Sequence, residues 1–473
     1  MSLTKQVVII GGGISGLKTF TTLQEHINPD KILIIEADNR LGGRLKSTNP
    51  KDSKLGISYD IGASWFHDSL NNILLDDLLA ERVVGVDDVY YDDRDASVYD
   101  STGEIDIVGL KLNRVLEDLE KFIEIYYHED INRADMSLKD ISEVFIKMHG
   151  LLLNGKQKEY AGRMIRYMEL WYGIPYDLIS GKYSIMDHQG RNLLNKETYS
   201  ENLLKWIISK IPNSSIRLND PVTSSKRGIK DGKRCSIKTK SGLVVNCDYL
   251  IVTVPLSKLQ DDSINWSPPL PSNISTALNS IHFGALGKVI FEFQNIWWDN
   301  KQDRFQILPN KIESQVHEKL TIMPQPFTYP IFAVNFSKVH NINKGSLVIL
   351  TQSPLTEYLE STTPENVWKY YKPMLQIIAI SQIEDPINII TTNWTNNEFI
   401  KGSYSALHTH DDPSEIIIQL SNENEVPNIG LDDKYIRFCG EHTISDGAGC
   451  VHGAYMSGIR EANYILKDLN IQF

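Results

Sequence analysis

The chain is poor in cysteine. Cys235, Cys247, Cys439 and Cys450 are the four in 473 residues, and no two share a C-x-x-C spacing. That excludes a disulfide scaffold and a thiolate zinc or redox site as readings, and free thiols in a reducing compartment are expected. Positive charge is also short: 48 Lys and Arg against 60 Asp and Glu leave a formal net charge of -12. Duplex binding works by displacing counterions with cations, so nucleic acid is not expected as a partner, while small cationic ligands stay open. Long hydrophobic runs are missing as well, none reaching the ~18 residues of a membrane span. The short run Val7-Val8-Ile9-Ile10 has no basic flank or cleavage site, so no secretory leader is expected. Asn470-Ile471-Gln472-Phe473 matches neither a peroxisomal tripeptide nor a lipidation box. Cytoplasm is the expected location.

What remains is a soluble globular composition, 41% hydrophobic and 23% charged. The length corresponds to about three ordinary domains, or to one enzyme of interleaved domains. There are no internal repeats. Gln6 to Ile10 reads as a buried parallel strand, Leu17 to His26 as a helix and Lys31 to Ile35 as a second strand, so a βαβ unit opens the chain. From about Leu70 to Tyr199 helical patterns dominate, with Val108, Leu112, Val115, Leu119, Phe122 and Tyr126 expected on one helical stripe. Strands return with Cys235 to Lys240 and Leu243 to Cys247, which flank Ser241-Gly242, then Tyr249 to Val254, and Ile281 to Phe293. Tyr455, Ile459, Ala462, Leu466 and Leu469 mark a C-terminal helix. Lys226, Arg227, Lys230, Lys233 and Arg234 surround Asp231-Gly232 and read as a solvated turn; Ser421 to Pro427 reads as a surface loop.

Between the first strand and first helix lies Gly11-x-Gly13-x-x-Gly16, with Ser15 inside it. One glycine permits the tight turn, one lets backbone approach a pyrophosphate, and one packs helix on strand, while the helix N-terminus offers unpaired N-H groups to phosphate. Glu36 follows 20 residues after Gly16 at a strand end, where its carboxylate can accept ribose hydroxyls and would repel a 2'-phosphate. NAD and FAD both satisfy this pattern. Arg40-Leu41-Gly42-Gly43-Arg44 offers a second close backbone approach and a guanidinium for an anion.

Further segments decide between the two cofactors: Gly62-Ala63-Ser64-Trp65-Phe66-His67-Asp68, Glu169-Leu170-Trp171, His188-Gln189-Gly190-Arg191-Asn192, His282 to Lys288, Gly402 to Ala406 and Gly440 to Cys450. In this order, across nearly the whole chain, they resemble the flavin-containing amine oxidases, most closely the fungal polyamine oxidases of the spermine-oxidising type. The resemblance implies an α/β fold: a discontinuous Rossmann-like FAD-binding domain (1–80, 200–270 and 395–473) interleaved with an α+β substrate-binding domain (81–199 and 271–394). By position in those motifs, Gly11, Gly13, Ser15, Gly16, Glu36, Arg44, Gly62, Ala63, Val222 and Glu441 would hold FAD. Glu36 would take the adenosine ribose, Arg44 the pyrophosphate, Gly62 and Ala63 the flavin edge, and Val222 the adenine side. Lys288 would hold a water beside flavin N5, and His67 would assist near the amine nitrogens. Trp65, Trp171, His188 and Tyr404 would line the substrate path, where aromatic faces suit a cationic or carbon-rich chain.

The implied activity is hydride transfer from spermine to the flavin, giving spermidine, 3-aminopropanal and H2O2; the alternative is a catalytically weak member that binds a hydrophobic ligand such as a corticosteroid. Polyamine and O2 are the implied partners, with no metal, membrane or nucleic acid, and with monomer and homodimer both open. Ser403 stands where monoamine oxidases carry their flavin-linking cysteine, so the FAD is expected to be noncovalent. Acid precipitation of the purified protein should leave the flavin in the supernatant; a yellow pellet would contradict this.

Overall fold

The computed structural model describes residues 2–91, 96–185, 189–228, 234–311, 317–421 and 435–472. Val7–Ile10 is apolar at every position and buried on both faces, as a central strand of a parallel sheet requires. It pairs in parallel with Ile32–Ile35 on one side and Tyr249–Val252 on the other. Ile436–Phe438 and Ile216–Arg217 form the two edges, so the sheet gathers strands from both ends and the middle of the chain.

Alternation along the strands sorts side chains into two cores. Val7, Ile9, Ile32 and Ile34 face helices Ile14–Leu23 and Val451–Asp468. Val8, Ile10, Leu33 and Ile35 face a second five-stranded sheet, whose hairpin Cys235–Thr239/Val244–Cys247 supplies Ile237 and Val245. This is the expected α/β class. A seven-stranded sheet stands beside it, with Gly287–Phe293 between Gly345–Thr351 and Asn388–Thr391. Helices Leu112–His128, Leu138–His149 and Gly155–Met164 pack on one another.

Three expectations need correction. Ile281 to Phe293 is not one strand: His282–Phe283 pairs with Ser405–Ala406, and the next strand starts at Gly287. The chain turns away between them because Gly284 N-H donates to the Tyr404 carbonyl and Ala285 N-H to the Gly173 carbonyl. Val108 does not join the helical stripe. It is 81% exposed and precedes the helix, which begins at Leu112 and buries Leu112, Val115, Leu119, Ile123 and Tyr127, with Phe122 and Tyr126 at the margin. The region from 70 to 199 is not purely helical either, since Val89–Tyr91, Ser97–Asp100 and Leu193–Asn195 are strands. Lys226 and Arg227 end a strand, while Lys230, Lys233, His188 and most of the Ser421 to Pro427 stretch lie outside the described residues. Among the described residues no helix is long and apolar enough to cross a membrane.

The first and last helices cross at Gly458, where a Cβ would collide with the Ser15 carbonyl oxygen. Thr19 Oγ donates to the Gly458 carbonyl at 3.2 Å across the same contact. Gly458→Ala should therefore cost about 1–3 kcal/mol through overpacking and lower the thermal midpoint by several degrees. An unchanged midpoint would show that the helices separate without strain.

Candidate functional site

The glycine turn has an internal logic. Gly11 adopts φ +108°, open to glycine at little cost, and a side chain there would strike Thr253. A Cβ on Gly16 would strike the Gly11 carbonyl, so this glycine sets the closeness of helix and strand. Gly13 differs: nothing lies within 4 Å of where its Cβ would be. It is the N-cap of helix Ile14–Leu23, which has no side-chain cap. The first intrahelical bond is Leu17 N-H to the Gly13 carbonyl, leaving three N-H groups without intrahelical acceptors above an open cradle. Gly43 packs behind, 3.3 Å from Gly13 Cα measured from its own would-be Cβ.

Glu36 closes the rim. Its carboxylate accepts Gly12 N-H at 2.5 Å and Asp38 N-H at 2.8 Å. Burial raises its carboxyl above the usual range, against the pull of those two N-H groups. Carboxylate oxygens offer about four acceptor sites, so two stay available for hydroxyl donors. Asp220 N-H donates to the Glu36 carbonyl, which brings the strand beginning at Val222 alongside. Of the two arginines around Gly42-Gly43, Arg40 is spent on the loop itself, donating to the Leu41, Gly43 and Leu45 carbonyls. Arg44 alone reaches outward, to Glu441 Oε1 and the Ser403 carbonyl, each at 2.8 Å. Glu441 also accepts from Ser405 Oγ at 2.6 Å. Its burial works to raise the carboxyl, but Arg44 and Ser405 hold it below its ordinary value.

Lys288 is buried on strand Gly287–Phe293, opposite Leu350. Its Nζ donates to the Asp60 carbonyl at 2.8 Å, the Gly62 carbonyl at 2.6 Å and Ser64 Oγ at 2.5 Å, and lies 5.5 Å from the Trp65 ring. Burial pulls the ammonium down and the Asp60 charge pulls it up. A Cβ on Gly62 would strike the Arg44 carbonyl, so the loop carrying Gly62 and Ala63 lies tight against the arginine. Trp394 Nε1 donates to the Ile61 carbonyl and supports that loop from outside the glycine motifs.

Trp171 is 40% exposed on the one-turn helix Glu169–Tyr172, edge-on to Tyr167 and Phe332. The Tyr404 hydroxyl donates to the Trp171 carbonyl. Beneath them Glu169 is fully buried and accepts from Arg166 and Gln352. His67 Nδ1 lies 2.9 Å from Asn192 Oδ1. The structure thus brings Arg44, Gly62, Trp65, Lys288 and Glu441 together and ties Trp171 to Tyr404, while His188 lies outside the described residues. Sequence reasoning missed Asp60 and Ser64. Ser64 had a signal, its place inside Gly62-Ala63-Ser64-Trp65, but the serine itself was not singled out.

Residues 14–466 match the family model described as flavin containing amine oxidoreductase. The chain belongs to this family. It is 52% identical over 482 aligned positions to the corticosteroid-binding protein of Candida albicans, covering 99% of this chain and 98% of that one. It is 25% identical to polyamine oxidase 4 of Oryza sativa subsp. japonica, covering 98% and 89%. Among solved structures, putrescine oxidase bound to putrescine shares the fold with a TM-score of 0.69 at 16% identity, covering 99% of this chain and all of that one. FAD is the cofactor of this flavin amine oxidoreductase, and the residues present fit it: an open cradle at Gly13 and the helix N-terminus behind it for the pyrophosphate, and an oriented carboxylate at Glu36 for hydroxyl donors.

The depressed Glu441 carboxyl gives the Arg44 pair a defined pH signature. Its stabilising contribution is present above the unfolded value near 4.5 and is lost as pH falls through the lower folded value. In apoprotein, Arg44→Ala should lower the thermal midpoint at pH 7, and the gap to the parent should shrink at pH 4. An equal gap at both pH values would show that Glu441 does not depend on Arg44.

Proposed function

We propose that this flavin amine oxidoreductase oxidises polyamines, spermine foremost, to spermidine, 3-aminopropanal and H2O2. The single observation that carries this reading is a buried lysine, ringed by the Asp60–Ser64 loop and placed beside the Trp65 ring. The polyamine oxidases among its relatives and the net charge of -12, which attracts polycations, support it. When bound, the flavin supplies the acceptor for hydride and passes the electron pair to O2. Overall, amine, O2 and water become a shorter amine, an aldehyde and H2O2.

The remaining tasks fall to the protein. Trp65, Trp171 and Tyr404 bind the carbon chain between ammonium groups by apolar and cation-π contact. His67 and His188 accept from or donate to the amine nitrogens. Lys288 is the proton-handling group at Nζ, and the surrounding burial excludes bulk solvent. Residues of the discontinuous segments 1–80, 200–270 and 395–473 would hold the cofactor, and segments 81–199 and 271–394 would bind the substrate. A second reading, binding of a hydrophobic ligand such as a corticosteroid, is favoured by the name of the Candida albicans relative. It leaves the buried lysine without a task.

Anaerobic mixing with spermine, spermidine, N-acetylated polyamines and a corticosteroid decides between the two. Spermine should bleach the flavin, and Lys288→Met should slow this by about 10²-fold, the scale of a positioned proton-transfer group. Bleaching by none of the amines, with spectral perturbation by the steroid, would establish the second reading.

A further inference from the structure

We propose that Ser64 is a positioning residue that allows Lys288 to change its charge inside the protein. The inference rests on Lys288 being the proton-handling lysine of the proposed reaction. Of the three groups around Nζ, the Asp60 and Gly62 carbonyl oxygens can only accept. The Ser64 hydroxyl, 2.5 Å away, can accept or donate. An ammonium sends one proton to each of the three. A neutral amine has two protons, which the carbonyls take, and one lone pair, which only the Ser64 O-H can fill. Loss of a proton from Lys288 therefore reverses the direction of the Lys288–Ser64 hydrogen bond and leaves no buried group without a partner.

The serine proton has a place to go in either state. When Lys288 is charged, Ser64 O-H turns to the Asp60 carbonyl, 3.3 Å from Oγ. When Lys288 is neutral, it turns to Nζ. The charged group bearing on Nζ is the Asp60 carboxylate, which is itself held by Ser47 Oγ and by Tyr199 N-H. The residue opposite on the neighbouring strand is Leu350, and the Trp65 ring covers another side. Neither carries charge, and of the three groups bonded to Nζ among the described residues Ser64 is the one that can exchange donor for acceptor.

Ser64→Ala removes one acceptor from the ammonium, whereas the neutral amine loses a bond about half as strong. The Lys288 titration midpoint should fall by about one pH unit. Ser64→Thr, which keeps the hydroxyl, should restore it. The measurement is ¹³C-lysine NMR of the FAD-loaded protein across pH, with the Lys288 resonance assigned by its loss in Lys288→Met. If Ser64→Ala does not retain FAD, Ser64→Cys, of similar size with a weakly bonding sulfur, is read the same way. Midpoints within a few tenths of the parent, or a Thr variant displaced as far as the Ala variant, would overturn the proposal. No substrate enters this measurement, so absence of polyamine oxidation would sink the functional reading while leaving the serine assignment to stand or fall on the midpoint.

Discussion

An ammonium taken out of water must be met by acceptors on three sides, and that demand organises the centre of this molecule. The acceptors around Lys288 come from one short loop, Asp60 to Ser64, which is itself held by Trp394 through the Ile61 carbonyl and pressed against Arg44 at Gly62. Arg44 in turn is fixed by Glu441 and the Ser403 carbonyl. These supports are linked in series, because each holds a backbone carbonyl or a charge on which the next one rests. The lysine, the loop, the arginine and the glutamate behave as one buried electrostatic unit, built from three distant stretches of sequence.

The aromatic side of the site is fastened to the same unit by a different device. Gly173 ends the turn that presents Trp171, and its carbonyl accepts from Ala285 and Ser353. These residues lie just before the strand carrying Lys288 and just after its neighbour in the sheet. Glu169, held by Arg166 and Gln352, fixes the other end of the turn. Trp171 is therefore registered against Lys288 through backbone bonds, although the two side chains come from elements far apart in the chain.

Much of the fold was legible because its signals are local. Val7 to Ile10 is uniformly apolar, Gly11, Gly13 and Gly16 sit at fixed offsets, and the C-terminal helix repeats its buried residues by threes and fours. The errors arose where distant partners decide. Gly284 and Gly287 permit a break in Ile281 to Phe293, but the bonds that make it come from Gly173 and Tyr404 elsewhere. Arg40 and Arg44 look alike in sequence, yet the folded loop turns one inward and leaves the other to Glu441. Ser64 was passed over for the same reason: its role depends on a lysine 224 residues away.

The order of strands in the parallel sheet has a consequence for how the protein is made. Val7–Ile10 leaves the ribosome first, yet one of its neighbours is Tyr249–Val252, and the edge beyond that is Ile436–Phe438. Arg44 waits 397 residues for Glu441. During synthesis the apolar central strand has to persist without its full set of partners until residues some hundreds of positions later have emerged. Such delayed long-range pairing slows folding and exposes sticky surface to neighbouring chains. Closing the sheet, and with it the glycine cradle at its edge, is therefore a long-range event that local structure in the first segment cannot complete by itself.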